Sequence, residues 1–254
     1  VIVCKSPAEI ERMRVANMLV ADVLAELAAM VKPGVTTADL DAAAEKMVRS
    51  AGAEPAFKGY RGYPSTLCAS VNEQVVHGIP SARALHEGDI ISLDMGVKLN
   101  GFYGDSAVTV PVGRVSHDVQ RLLKVTQAAL DQGIDRVRVG GRVSDIGHAV
   151  QRFVEANGFS VVREFVGHGI GASLHEDPQI ANYGEPGRGP RLAEGMVLAI
   201  EPMVNMGRSA VKVLADGWTA VTRDGSWSAH FEHTVAVTKD GPLVLTHRTP
   251  AGVR

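Results

Sequence analysis

Across residues 89–97 and again across 196–205, bulky apolar residues alternate with small or polar ones. Successive side chains of a strand point to opposite faces. Ile91, Leu93 and Met95 therefore share one face of the first segment, and Ser92, Asp94 and Gly96 share the other. In the second segment Leu198 and Ile200 share one face, and Val197, Ala199 and Glu201 share the other. Each copy turns a bulky row toward covering helices and sets small residues beside its acid. Residues 104–112 should pair with the first segment around Leu99-Asn100-Gly101, and further strands are expected at 70–76, 160–166 and 230–238. Helical patterning predicts four helices. The first opens at Ser6-Pro7-Ala8-Glu9, with Ser6 as N-cap, Pro7 in the first turn and Glu9 closing a capping box. It ends near Val31, before Lys32-Pro33-Gly34. The others are expected over 37–52, 118–135 and 143–157. Residues 60–65 and 182–190, rich in Gly and Pro, read as loops. The result is an α+β chain with helices on one side of a curved antiparallel sheet.

The order of elements recurs because the chain contains itself twice. Residues 34–53 align with 140–159 without a gap, so that Asp39 meets Asp145, Val48 meets Val154 and Gly52 meets Gly158. Residues 85–94 align with 192–201, which sets Asp94 opposite Glu201. Residues 105–110 align with 232–237, which sets Asp105 opposite Glu232. His-Gly-Ile also occurs twice, at His77-Gly78-Ile79 and His168-Gly169-Ile170. Two copies are too few for a solenoid. No composition break marks a linker, so the expected unit is one pseudo-symmetric domain, 1–254, with halves of about 1–115 and 116–254. All four acids lie in apolar, β-rich segments, where an unpaired carboxylate is costly to bury. On a solvated sheet face, Val197, Met203 and Val235 would be exposed beside them. Four carboxylates converging near one axis need cations to hold them together, which points to a metal site at the junction of the halves.

Composition narrows the class. A chain of 254 residues can bury a good core. The net charge is −2 and the basic residues are spread out, so neither a nucleic-acid stripe nor a polybasic membrane patch is expected. The apolar stretch 18–31 is interrupted by Asp22 and Glu26 and is too short to span a bilayer. Val1-Ile2-Val3-Cys4-Lys5 lacks the charged and long apolar regions of a secretory signal. Cys4 and Cys68 make neither a disulfide framework nor a CxxC pair. A cytoplasmic protein is expected.

Carboxylate-rich ligands with an imidazole suit divalent Mn, Fe, Co or Zn. Two carboxylate pairs suggest two ions with bridging acids, which activate a water and clamp a tetrahedral intermediate. His168, between Gly167 and Gly169, is the best imidazole candidate. His86, His117, His148 and His247 read as surface residues. His230 and His233 flank Glu232 and either point away or support it from behind, while spacing alone leaves His77 and His175 open. Gly167-His168-Gly169-Ile170-Gly171-Ala172 matches a dinucleotide fingerprint, but that signal needs a following helix. Here it runs into a loop ending at Pro178. There is no HExxH pair, Walker A lysine, GxSxG elbow or Cys/His nucleophile pair.

Asp94-x10-Asp105, Gly167-His168-Gly169-Ile170-Gly171, Ile200-Glu201-Pro202 and Phe231-Glu232-His233-Thr234 together resemble the five-ligand signature of the pita-bread dimetal metallopeptidases. Gly59-Tyr60-Arg61-Gly62-Tyr63-Pro64, Ser70-Val71-Asn72-Glu73 and Val76-His77-Gly78-Ile79-Pro80 narrow the resemblance to the type I methionine aminopeptidases. The resemblance covers nearly the whole chain. It implies a pita-bread fold and removal of N-terminal methionine from peptides and nascent chains by a metal-bridging hydroxide, with a small second residue preferred. It implies one ion on Asp105, His168, Glu201 and Glu232, and another on Asp94, Asp105 and Glu232. Glu201 would also relay a proton, His77 and His175 would bond the scissile peptide, and Tyr60, Tyr63, Cys68 and Trp218 would surround the methionine. A monomer is expected, and any ribosome contact would use the catalytic domain, since no zinc-finger or proline-rich stretch precedes the first helix. Phe57, Gly96 and Leu174 depart from the family pattern, standing where a cysteine, a hydroxyl residue and an aromatic residue are usual. Two rivals share the fold. Prolidases usually carry an extra N-terminal domain, and non-catalytic binding relatives have lost ligands.

Overall fold

A computed structural model describes residues 1–247. Its elements in chain order begin with helices α1 (Pro7–Met30) and α2 (Thr37–Ser50). Strands β1 (Glu54–Pro55), β2 (Cys68–Val71), β3 (Gln74–Val76), β4 (Ile90–Leu99) and β5 (Phe102–Pro111) complete the first half. The second half opens with α3 (His117–Ile134) and α4 (Val143–Ala156). It continues with β6 (Ser160–Val161), β7 (Gly167–Gly169), β8 (Glu176–Ile180), β9 (Val197–Ile200) and β10 (Met203–Asn205). Last come β11 (Val211–Val213), β12 (Ala220–Thr222), β13 (Ser228–His230), β14 (His233–Thr238) and β15 (Gly241–Val244). Residues 248–254 of the expected 1–254 unit lie outside the described residues.

The sequence repeat survives as repeated hydrogen bonds. Helix α1 starts with the expected capping box of Ser6 and Glu9. Asp39 and Asp145 hold equivalent places in α2 and α4, each accepting the backbone N–H three residues earlier, from Thr36 and Arg142. Before each helix a glycine sits in the left-handed region, Gly34 at φ 89° and Gly140 at φ 88°. Their N–H groups donate to the carbonyls of Leu85 and Leu192, both at 2.8 Å. Those two leucines open the aligned segments that carry Asp94 and Glu201.

The helices cover the predicted faces. Ile91, Leu93 and Met95 are fully buried against residues of α1 and α2. Leu198 and Ile200 are fully buried against α3 and α4. Side chains of this size each contribute roughly 1.5–3 kcal/mol on burial, so register is strongly specified. A slip by one residue would turn each apolar row away from the helices and the acids toward them. Between β4 and β5, Asn100 (φ 52°) and Gly101 (φ 84°) form the two-residue turn that suits antiparallel twist.

The sheet is more broken than the alternation suggested. Expected strand 196–205 is interrupted at Glu201-Pro202, giving β9 and β10, because proline has no N–H for a ladder. Expected strand 230–238 divides at Phe231-Glu232, where Glu232 leaves the β13 ladder to bond Ala107 of β5. Expected strand 70–76 breaks at Asn72 (φ 57°) into β2, which pairs with β4, and β3, which pairs with β12, and of 160–166 only β6 is strand. The expected loop 173–178 is loop only as far as His175: its last three residues, including Pro178, begin β8 (Glu176–Ile180). This is the outer strand of the β15-β14-β9-β7-β8 sheet, with a register shift against β7, a position that tolerates proline.

A candidate dimetal active site

The acids meet where the sheets of the two halves touch. On β4, Asp94 stands opposite Ala107 and Cys68; on β5, Asp105 stands opposite Gly96. The two aspartates are thus diagonal neighbours on one face, within side-chain reach. The other half arrives through residues 230–234. The Glu232 N–H donates to Ala107 O at 2.9 Å, Ser106 Oγ donates to Glu232 O at 2.6 Å and Thr234 Oγ1 donates to Asp105 O at 2.8 Å. Glu201 follows β9 at the break made by Pro202.

His168 reaches the acids from β7. Adjacent strands press so closely that Gly167 and Gly169 have no room for side chains. A Cβ would run into the carbonyl of Ala199 at one and of Asp177 at the other. Proximity to flanking strands, rather than to a ligand, explains these glycines. His168 Nδ1 lies 2.9 Å from Gly169 O, so as a donor it leaves the Nε2 lone pair free. That Nε2 lies 3.8 Å from Asp105 Oδ2 and 3.6 Å from Glu201 Oε1. One ligand-type atom from each of Asp105, His168 and Glu232 falls within 4.8 Å of the others.

This arrangement is electrostatically unfavourable without cations. Burial raises Asp94 to about 7. Asp105, Glu201 and Glu232 are pushed well above the usual carboxylate range, first by burial and then by neighbouring acids. Asp105 Oδ1 and Glu232 Oε1 are buried without a hydrogen-bond partner. Meanwhile burial holds His168 neutral, with its pKa lowered to about 4, as a metal-binding imidazole must be. Oxygen-rich donors, orphaned oxygens and a neutral imidazole fit divalent cations.

A cavity of about 160 Å³ opens onto this cluster. It gathers all the residues singled out from the sequence: Asp94, Asp105, His168, Glu201, Glu232, His77, His175, Tyr60, Tyr63, Cys68 and Trp218. Tyr63 is fixed by donating to the carbonyls of Leu67 and Gly78 at 3.0 and 3.1 Å, and meets Trp218 edge-on with ring centres 5.1 Å apart. Asp41 of α2 steadies the same loop by accepting the N–H groups of Thr66 and Leu67. Burial pushes the Cys68 thiol up, which makes it an apolar pocket wall rather than a nucleophile. His77 adopts φ 60°, an uncommon conformation for a residue with a side chain. Burial lowers its pKa to about 4. His175 stands at the rim, its Nδ1 2.9 Å from Tyr60 Oη and its ring centre 4.2 Å from that of His168.

The three departures from the family pattern also line or border this cavity. Phe57 and Gly96 are coupled: a Cβ on Gly96 would lie 2.9 Å from Phe57 Cε1. Glycine at one position makes space for the ring at the other. Leu174 lines the cavity and is 2% exposed. His230 stands closer to the site than its spacing from Glu232 suggests. It is 1% exposed, its Nε2 lies 3.7 Å from Glu201 Oε2 and neither ring nitrogen has a hydrogen-bond partner. Its place two residues before Glu232 was the available signal. His233 points away, 2.7 Å from Thr246 Oγ1. His86, His117 and His247 are exposed and His148 is half-buried.

Residues 11–239 match metallopeptidase family M24. The chain belongs to that family. Within it, methionine aminopeptidase 1 of Bacillus subtilis is 55% identical over 245 residues, covering 96% of this chain and 99% of the relative. Methionine aminopeptidase of Clostridium acetobutylicum is 52% identical, covering 96% and 98%. The solved methionine aminopeptidase from Thermotoga maritima has a TM-score of 0.96 at 47% identity, covering 98% of this chain and all of that one. The resemblance to the methionine aminopeptidases is therefore borne out, as are the pita-bread α+β fold and the need for divalent metal. A prolidase from Pyrococcus furiosus has a TM-score of 0.80 at 22% identity, and this chain spans 66% of it. That likeness concerns fold alone.

Proposed function

We propose that this chain removes the N-terminal methionine from nascent polypeptides, with a small second residue preferred. The observation that carries the reading is the geometry of the cavity. A neutral imidazole and four buried carboxylates form its floor, and Tyr60, Tyr63, Cys68 and Trp218 form a wall suited to a flexible thioether. High identity to methionine aminopeptidases over the full match supports the same substrate.

Asp105, His168, Glu201 and Glu232 would hold one divalent ion, and Asp94, Asp105 and Glu232 the other. Such ions supply Lewis acidity and a nucleophilic water at neutral pH. The remaining work belongs to side chains. Glu201 carries a proton from the attacking water to the leaving amine. His175, its Nδ1 engaged with Tyr60, directs Nε2 toward the developing oxyanion, an electrostatic role. His77 bonds the scissile peptide. Tyr63 and Trp218 hold the methionine side chain and exclude water around it.

We further place the protein in the cytoplasm as a monomer and as one catalytic domain, 1–254. Contact with the ribosome would use that domain, without specific nucleic-acid or membrane binding. Among the described residues no helix is long and apolar enough to cross a membrane. The substrate reading is tested by metal-reconstituted hydrolysis of Met-Ala-Ser, Met-Leu-Ser and Leu-Pro in parallel. Met-Ala-Ser should be cleaved fastest. Faster turnover of Leu-Pro would replace this reading with a prolidase.

A further inference from the structure

We propose that Lys5 and Glu176 form a buried clamp that positions His175, so that Lys5, far away in sequence, is a positioning residue for the reaction. The proposal rests on the catalytic reading of His175 given above. Lysine is almost never buried unless paired, yet the Lys5 side chain is 4% exposed and that of Glu176 is 14% exposed. Lys5 Nζ donates to Glu176 Oε2 at 2.5 Å and to Val3 O at 3.0 Å. The other carboxylate oxygen, Glu176 Oε1, accepts the N–H of Ser173 at 3.1 Å. One carboxylate thus ties the N-terminal segment to both ends of the turn 173–176, and His175 lies inside that turn.

The clamp has a firm base. The Lys5 N–H donates to Gly195 O at 2.7 Å, and the Gly195 N–H donates to Val237 O of β14 at 3.0 Å. The turn itself is packed without slack. A Cβ on Gly171 would collide with Lys5 Cε and lie 2.7 Å from Glu176 Oε1. Gly171 O in turn accepts the N–H of Tyr103 at 2.9 Å. A buried ion pair stabilises little relative to well-packed apolar residues. Its contribution here is geometric: it fixes the turn whose imidazole must meet the substrate, where a displacement near 1 Å can lower turnover by about 100-fold.

Four variants test this: Lys5→Met, Lys5→Met/Glu176→Gln, His175→Ala and Lys5→Met/His175→Ala. The second leaves neither charge unpaired, so it answers the question if the first does not fold. Each is compared by kcat and KM on Met-Ala-Ser and by metal calorimetry, and the variants that keep His175 also by ring ¹⁵N resonances of His175 and His233 in zinc-loaded protein. We expect the first two variants to bind metal as the parent does and to keep KM within about threefold. Their kcat should fall by roughly 10- to 100-fold, and the His175 resonances should move while those of His233 stay. In the His175→Ala background, adding Lys5→Met should lower kcat by less than about twofold, because the group it positions is gone. An equal loss in both backgrounds would reduce the pair to general packing, and unmoved His175 resonances would overturn the clamp outright. Near-normal turnover of His175→Ala alone would instead sink the catalytic reading of His175. The resonances would still decide the clamp.

Discussion

Replacing Asp94 with Asn should make the metal-free protein more stable while weakening its metal binding. Burial raises Asp94 from the ordinary carboxylate value of 3.8 to about 7 in the folded chain. Below pH 3.8 the group is protonated in both folded and unfolded chains and has no effect. Between 3.8 and about 7 the folded chain keeps a proton that the unfolded chain releases, so stability falls as pH rises. Above about 7 the deficit is complete. At about 1.4 kcal/mol per pH unit, it is on the order of 4 kcal/mol. An amide of the same shape has no ionisation to suppress. The apo variant should therefore unfold on the order of 10 °C higher than the parent at pH 7.5, at roughly 2–4 °C per kcal/mol for a chain of this size. At pH 4 the gain should shrink to about 1 °C. Saturating metal should raise the melting temperature of the parent by more than that of the variant, since ligand binding stabilises only the state that binds. Calorimetric scans in EDTA and in manganese, at both pH values, test every part of this. An apo gain that is absent, or equal at pH 4 and pH 7.5, would refute a strained, buried Asp94.

Asp105→Ala and Glu232→Ala should each abolish two-ion binding and hydrolysis together while circular dichroism stays unchanged; calorimetry still showing two tight ions in either variant would contradict the bridging assignment. His175→Ala should retain both ions and lose about 10²–10³ in kcat, the range for losing one oxyanion donor, as steady-state kinetics after metal titration would show. Gly96→Ser should lower kcat/KM by driving the hydroxymethyl group into Phe57, and adding Phe57→Cys should restore it; an unrestored double variant would uncouple the two positions. Burial lowers His230 to about 3 from 6.5, so the unfolded chain takes up a proton below pH 6.5 that the folded chain refuses, and stability falls with falling pH. Denaturant melts of His230→Gln between pH 4 and 6 should therefore show a slope shallower than the parent's by about 1.4 kcal/mol per pH unit.

Much of the fold was legible because local chemistry and global packing agree. The Ser6–Glu9 capping box, the Asn100-Gly101 turn and the alternation around Leu93 and Leu198 each specify an element within a few residues. The repeat located Asp94, Asp105, Glu201 and Glu232, since the aligned segments set them at corresponding places in the two halves. What escaped notice has a common physical origin. Strands such as β11, β12 and β15 are three or four residues long, too short for alternation to register. The breaks at Pro202 and Phe231 arise where a strand changes partners, which depends on a second sheet. Pro178 argued for a loop, but an outer strand does not need its N–H. Lys5 meets Glu176 across 171 residues, a separation at which no local pattern survives. Phe57 and Gly96 read as two unrelated departures until their contact showed one substitution making room for the other.

The central claim is that the buried carboxylates and His168 hold divalent ions that are essential for methionine removal. It is tested most directly by titrating manganese or cobalt into metal-stripped protein while ions bound and Met-Ala-Ser hydrolysis are followed in the same samples. The account expects no hydrolysis in the stripped protein, activity that rises with metal occupancy, and saturation at no more than two tightly bound ions per chain. Full hydrolysis by protein shown to be free of metal, or saturating metal that leaves the peptide uncut, would contradict it.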